Sequence, residues 1–249
     1  MSRRPVLRAW AVAAWLLAWQ LGAMALDQPL FLVSPARVLL RLARLAGTAD
    51  FWAAVAGSLL RITAGFLLGA AAGTALAALS ARFRRVEELL APAMLAVKSI
   101  PVASFIILAL ILFSSRNLAV LISFLMVLPV LYANVLGGIR AADRQLLEMA
   151  RVFRIPPLRR IRYVYAPQVY PYLQSACASA LGLSWKAGVA AEVIGMPDGS
   201  IGERLQQAKI YLNTPDLFAW TLVIVLVSLA FEKAFLALLA LGGRALERM

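Results

Sequence analysis

Residues 117–139, NLAVLISFLMVLPVLYANVLGGI, contain no charged side chain. A helix of about 20 such residues crosses the ~30 Å hydrocarbon core of a bilayer. In lipid every backbone N–H and C=O must find an internal partner, so apolar runs of this length are read as helices. Five further runs have the same character, at about 9–26, 51–80, 89–113, 168–195 and 216–241. The expectation is an all-α, polytopic membrane protein with about six transmembrane helices. Neither an internal repeat nor a flexible linker interrupts residues 1–249, which read as a single transmembrane domain.

Composition narrows the chemistry. Hydrophobic residues make up 63% of the chain, charged residues 15%, and mean hydropathy is +0.83. A soluble domain carries more charge. There is no histidine, the commonest general base and metal ligand. The lone cysteine, Cys177, excludes an intrachain disulfide and any cysteine-cluster metal site. A net charge of +13 reads here as membrane topology rather than as a nucleic-acid surface.

The first run follows Arg3, Arg4 and Arg8 and contains Ala23-Met24-Ala25, a pattern like a signal-peptide cleavage site. Since five more runs follow, it reads as an uncleaved first helix. With the N-terminus placed in the cytoplasm, the inner segments 1–8, 81–88, 140–167 and 242–249 hold fifteen Lys and Arg. The outer segments 27–50, 114–116 and 196–215 hold six. This agrees with the positive-inside rule and puts both termini in the cytoplasm.

Two outer segments have helical patterns. In SPARVLLRLARLA, Ser34 is a candidate N-cap and Pro35 a first helical residue. Arg37, Arg41 and Arg44 then share one face, with Val38, Leu42 and Leu45 on another, which suits a helix on the outer membrane surface. A second amphipathic piece runs from Ile201 to Leu212, and Thr214-Pro215 opens the last run. In the second run, Gly65, Gly69 and Gly73 form overlapping small-xxx-small steps, read as helix packing within the chain.

The most polar long stretch is residues 142–169, ADRQLLEMARVFRIPPLRRIRYVYAPQV, and seven arginines fall between 140 and 167. A helix up to Ile155 should end there, because the residue before proline avoids the helical conformation. Pro156-Pro157 then opens a second helix, with Leu158, Ile161 and Tyr165 recurring at i, i+3 and i+7 and the arginines elsewhere. An isolated helix of about ten residues is marginal in water and needs a surface, either lipid headgroups or a protein.

Glu148-Met149-Ala150, a break, and then IRYVYAP resemble the EAA loop of ABC-importer permeases. Glu148, Ala150 and Pro167 match that loop's pattern, whereas Arg154 stands where the family has glycine. On the physical reading, Pro156-Pro157 supplies the break instead. The stretches SLLRITAGFLLGAAAG, LAPAMLAVKSIPVASFIILALILF and LSWKAGVAAEVIGMPDGSIGERLQQA are similar, in order, to the nitrate/sulfonate/taurine-type permeases. The resemblance implies a type I ABC-importer-like fold with a cytoplasmic coupling-helix loop at about 140–167. It also implies a non-catalytic subunit that forms the path for a small anionic or polar solute in the bacterial cytoplasmic membrane. The implied partners are a second copy of the chain, an ABC ATPase dimer, an extracytoplasmic binding protein and lipid. Glu148, Ala150, Arg154, Pro157, Leu158, Ile161 and Tyr165 become candidates for ATPase coupling. The chain has no Gly-x-x-x-x-Gly-Lys-Ser/Thr loop. ATP and Mg are therefore expected on the ATPase and no cofactor on this chain.

Charges inside spans are functional candidates by default. Lys186 lies on a stripe with Ser175, Ser179 and Gly182. Two readings stay open: a path-lining cation that favours anionic cargo, or one half of a buried pair. Glu192 lies near the outer boundary, as a structural group or part of an outer gate. Lys98 and Arg61 are expected to make structural pairings. The alternative class is a proton-coupled secondary carrier with Lys98, Lys186 and Glu192 as a relay. A membrane-embedded hydrolase lacks the histidine of a Ser-His arrangement.

Overall fold

The computed structural model describes residues 9–26, 28 and 30–247. Arg3, Arg4, Arg8 and Arg248, which entered the orientation argument, lie outside the described residues. The described elements are helical. Each expected apolar run coincides with helix: α1 (Ala9–Leu26), α3 (Ala49–Arg82), α4 (Arg84–Ser99) with α5 (Val102–Leu112), α6 (Ser115–Arg140), α9 (Ala166–Gly195) and α11 (Thr214–Glu247). Between them lie α2 (Pro35–Ala46), α7 (Arg144–Val152), α8 (Pro157–Arg160) and α10 (Ile201–Ile210). By length and apolarity α3, α6 and α11 qualify outright as spans, and the α4–α5 pair adds a fourth. The first helix is apolar but short. At 30 residues α9 is long enough, but Lys186 and Glu192 interrupt its apolar sequence.

The third run departs from the expected single straight helix. The axes of α4 and α5 meet at 106°. Ile100 (ψ 131) and Pro101 (φ −57, ψ 135) are extended. Proline cannot donate to the preceding turn and drives its neighbour out of the helical region, so the span breaks where Ile100-Pro101 stands.

The centre of the molecule is the sandwich of α3 against α6 and α6 against α9. Glycine makes the first contact possible. A Cβ on Gly69 would sit 2.9 Å from the Phe124 carbonyl oxygen, and one on Gly73 2.7 Å from that of Leu128. The small-xxx-small steps therefore pack helices within the chain. Around them Phe66, Val127, Leu131, Tyr132, Ala180 and Leu181 form one buried cluster. A second cluster joins α5, α6 and α9 through Ile106, Ile122, Met126, Ala187 and Ala191.

At one end of the bundle, α2 packs on α11 and α3, and α10 on α9, α11 and α3. Ser34 occupies the cap position of α2, but its side chain makes no cap bond. Val38, Leu42 and Leu45 rest on α11 and α3 instead of facing outward, through Ala219, Leu222, Phe51 and Trp220. Arg41 forms a two-pronged ion pair with Asp216 in the first turn of α11. That carboxylate raises the Arg41 pKa further above its ordinary value. The helix is thus anchored to protein, with Leu39 and Leu40 left exposed.

Candidate coupling surface and translocation path

The polar stretch folds as a short helix, one tight turn and the start of a second helix, at the end of the bundle opposite α2 and α10. Asp143 caps α7, its Oδ1 accepting from the Gln145 N–H at 2.8 Å. Ala150 is buried and anchors the helix, while Glu148 is exposed. The turn is made at Arg154, whose φ is 50. The Ile155 N–H donates to the Ala150 carbonyl at 2.9 Å, and the Arg154 N–H to that of Arg151 at 3.0 Å. This pair of bonds is a Schellman cap with arginine at the left-handed position glycine normally fills. The expectation that Pro156-Pro157 replaces the missing glycine is therefore corrected. Arg154 adopts the glycine conformation itself, at a backbone strain of about 1–2 kcal/mol, and the prolines only start the next helix.

That next helix runs on through Pro167 without a stop. Arg160, Ile161, Tyr165 and Ala166 all keep right-handed helical angles, and a π turn over Ile161–Tyr165 joins α8 to α9. The Ala166 N–H reaches back to the Ile161 carbonyl. Proline at 167 has no N–H for the carbonyl of Tyr163, and the wider turn relieves the ring clash that proline brings to a helix. The expected stripe divides. Leu158 is 84% and Ile161 59% exposed, whereas Tyr165 is half-buried. Val152 and Phe153, which flank the turn, are 78% and 73% exposed. The sequence reading missed them, although two apolar residues just before a helix stop were a usable signal. Glu148, Val152, Phe153, Pro157, Leu158 and Ile161 are all exposed around one turn, so a partner can be gripped by apolar and charged groups together.

On α9 the small-polar stripe faces out of the chain. Ser175, Ser179 and Lys186 are exposed, Gly182 is half-buried, and a Cβ on Gly182 would meet nothing within 4 Å. The Ser179 hydroxyl donates to the Ser175 carbonyl at 3.2 Å. Lys186 makes no ion pair among the described residues, so the buried-pair reading has no partner acid among them. Lys98 is exposed and makes no ion pair among the described residues, where the structural pairing expected for it is not found.

Glu192 behaves differently. It is 1% exposed and pairs with Arg61, Nε to Oε1, at 3.1 Å. The Ser58 hydroxyl donates to its other oxygen at 2.6 Å and in turn accepts the Ile201 N–H at 2.8 Å. Arg61 also donates to the Gly199 carbonyl at 3.0 Å. A Cβ on Gly202 would lie 2.6 Å from the backbone carbon of Glu192, so the first turn of α10 sits directly on α9. The network staples α10 to α3 and α9. The Arg61 pairing is as expected from sequence. Ser58 and Gly202 were not foreseen as its members, because they meet Glu192 only through packing. Glu192 is committed to this staple, so a relay through Lys98, Lys186 and Glu192 is not brought together.

A family profile described as the binding-protein-dependent transport system inner membrane component matches residues 65–244. The taurine transport system permease protein TauC of Escherichia coli is 26% identical, over 100% of this chain and 90% of its own length. The riboflavin transport system permease protein RibX of Chloroflexus aurantiacus is 29% identical, over 86% of this chain and 80% of its own. The bicarbonate transport system permease protein CmpB of Synechococcus elongatus is 27% identical, over 89% and 84%. A crystal structure of an amino acid ABC transporter with histidines shares the fold, with a TM-score of 0.52 and 19% identity over 77% of this chain and 90% of that one.

Proposed function

Because this chain belongs to the binding-protein-dependent transport system inner membrane components, we propose that two copies of it enclose the path of an ATP-driven importer and take their energy through the Arg154 turn. The chain is a non-catalytic permease subunit. ATP and Mg belong to a cytoplasmic ATPase pair, and the solute arrives from a binding protein on the opposite side. The α7–α8 end then faces the cytoplasm with both termini, in agreement with the distribution of Lys and Arg, and α2 and α10 face the binding protein.

The observation that carries this reading is the exposed set around the turn. Leu158 at 84% and Val152 at 78% exposure would be unfavourable surface if nothing covered them. The arginines alone would suffice for anionic lipid, but an exposed Glu148 among them is better matched by a protein groove. Unbroken helix from Pro157 into α9 makes the docked piece and the path-lining stripe one lever. Motion of the ATPase pair would then turn or shift α9 without a hinge between them.

The test is co-purification of the ATPase with variants of this surface. Glu148→Arg and Leu158→Asp/Ile161→Asp should insert normally. Burying one aspartate in an apolar groove is unfavourable by a few kcal/mol, so retained ATPase should fall by about a hundredfold. ATPase binding and transport that survive both sets of changes would refute the docking surface.

A further inference from the structure

The arginines of α2 divide. Arg41 is held by Asp216, but Arg37 and Arg44 have no acid within ion-pair reach among the described residues. Both are exposed. At helical spacing α2 has three faces. Val38, Leu42 and Leu45 are turned to the protein. The three arginines lie beside them. Ala36, Leu39, Leu40 and Ala43 complete the circle, all exposed, with Leu39 and Leu40 at 57% each. A helix already seated on protein gains nothing from a second apolar face in water.

Its surroundings fix the depth of this helix. The buried side of α2 shares a cluster with Ala219 and Leu222, in the first two turns of the uncharged stretch 217–231 of α11. Two tryptophans flank it. Trp19 belongs to the same cluster, its ring 5.7 Å from that of Phe218. Trp52, 60% exposed, donates its indole N–H to the Ala46 carbonyl at 2.9 Å. An apolar ring with a bonded polar tip suits the membrane–water boundary. So α2 lies where α3 and α11 leave the hydrocarbon, in the headgroup layer. There a cleft of about 370 Å³ runs between α2 and the start of α11, lined by Arg37, Leu40, Arg41, Arg44, Asn213 and Pro215.

From this placement we infer that the cleft holds the phosphate of an anionic phospholipid, of the phosphatidylglycerol class, with Leu39 and Leu40 against the upper part of its acyl chains. Arg37 and Arg44 stand one turn to either side of Arg41, so two uncompensated guanidinium groups reach one cleft whose third charge Asp216 already cancels. Guanidinium grips phosphate oxygens in pairs, and basic pockets at headgroup level select anionic lipid. The inference depends on neither the proposed path nor the coupling surface; only the naming of the leaflet as the outer one rests on the proposed orientation. Bound lipid braces α2 and, through Arg41 and Asp216, the first turn of α11. An acidic patch of the binding protein would suit the arginines equally, but not the bare leucines beside tryptophans at bilayer depth.

The test reads the lipid beside α2 directly. Ala43→Cys, on the exposed apolar face, is labelled with bimane in the assembled transporter, with the buried native thiol removed by Cys177→Ala. The transporter is placed in bilayers containing phosphatidylglycerol or phosphatidylcholine with brominated chains. Quenching should show an about tenfold preference for phosphatidylglycerol at the label in low salt, weakening as salt rises. Arg37→Gln/Arg44→Gln should abolish that preference, each single change should remove part of it, and Arg37→Lys/Arg44→Lys should keep most of it. If the double glutamine variant fails to assemble, the single variants decide. Equal quenching by both lipids, or a preference that survives loss of the arginines, overturns the inference. So does loss of the preference in excess glycerol phosphate, which assigns the cleft to a soluble anion. Quenching by neither lipid overturns it too, and a shift of bimane emission on adding the binding protein then assigns this face to that protein, leaving the proposed function in place.

Discussion

Glu192 is the side chain on which the α10 end of the molecule depends most. It is fully desolvated, and its oxygens take one guanidinium and one hydroxyl at 3.1 and 2.6 Å. Removing one partner of a buried pair leaves the other charged and unpaired, a loss of about 3–5 kcal/mol. Arg61 keeps some access to water, so the low end applies. Glu192→Ala should lower the thermal unfolding temperature of the detergent-purified protein by several degrees. Glu192→Ala/Arg61→Met should recover part of that loss, because no lone charge remains. Equal stability of the single and double variants would show that the pair is not coupled. Arg154 teaches a different lesson at this scale. Its chemistry as a side chain does not explain its position; its backbone φ of 50 does.

Helix against helix, the decisive feature is the glycine ridge of α3. Alanine at Gly73 would place its Cβ 2.7 Å from the Leu128 carbonyl and 2.9 Å from the Leu131 Cβ. Neither can yield without moving α6. Overpacking of this kind destabilises by about 1–3 kcal/mol, which outweighs the roughly 1 kcal/mol that alanine gains over glycine inside a helix. Gly182→Ala, by contrast, meets nothing within 4 Å among the described residues and should be neutral or slightly stabilising for a single copy. Comparing the two by thermal unfolding separates helix packing from helix propensity. A marked loss at Gly182 would mean that another copy packs against that face. The α4–α5 bend belongs to this scale too. Without it Arg84–Ser99 and Val102–Leu112 would run on as one straight helix.

At the scale of the whole molecule, the exposed polar stripe of α9 and the bare apolar faces of α5, including Ile107, Leu108 and Ile111, require something beside them. A two-fold pair would set both against a second copy around a common axis, the commonest closure for identical chains. Native mass measurement of the purified assembly should find two copies of this chain with two ATPase chains. One copy, or an obligate different permease chain, would refute the pair.

Much of the architecture was legible along the chain. Long apolar runs dictate helices because lipid offers no other partner for the backbone, and Gly65, Gly69 and Gly73 announced a close helix contact by spacing alone. The polar stretch around Glu148 was readable as two helical pieces because its apolar and basic residues alternate at helical spacing, but the continuation of the second piece into α9 was not. Tertiary structure decided the rest. Whether Pro156 or Arg154 makes the turn depends on which backbone can be held in a left-handed conformation, and that follows from the carbonyls of Ala150 and Arg151 rather than from composition. Whether the run at 89–113 is straight depends on whether neighbours tolerate the break at Pro101. Whether an intramembrane charge is paired depends on helices distant in sequence: Glu192 meets Ser58 and Arg61 across more than a hundred residues, while Lys186 meets no acid among the described residues. Local pattern specifies what each residue needs, and only packing between distant segments determines which of those needs are met.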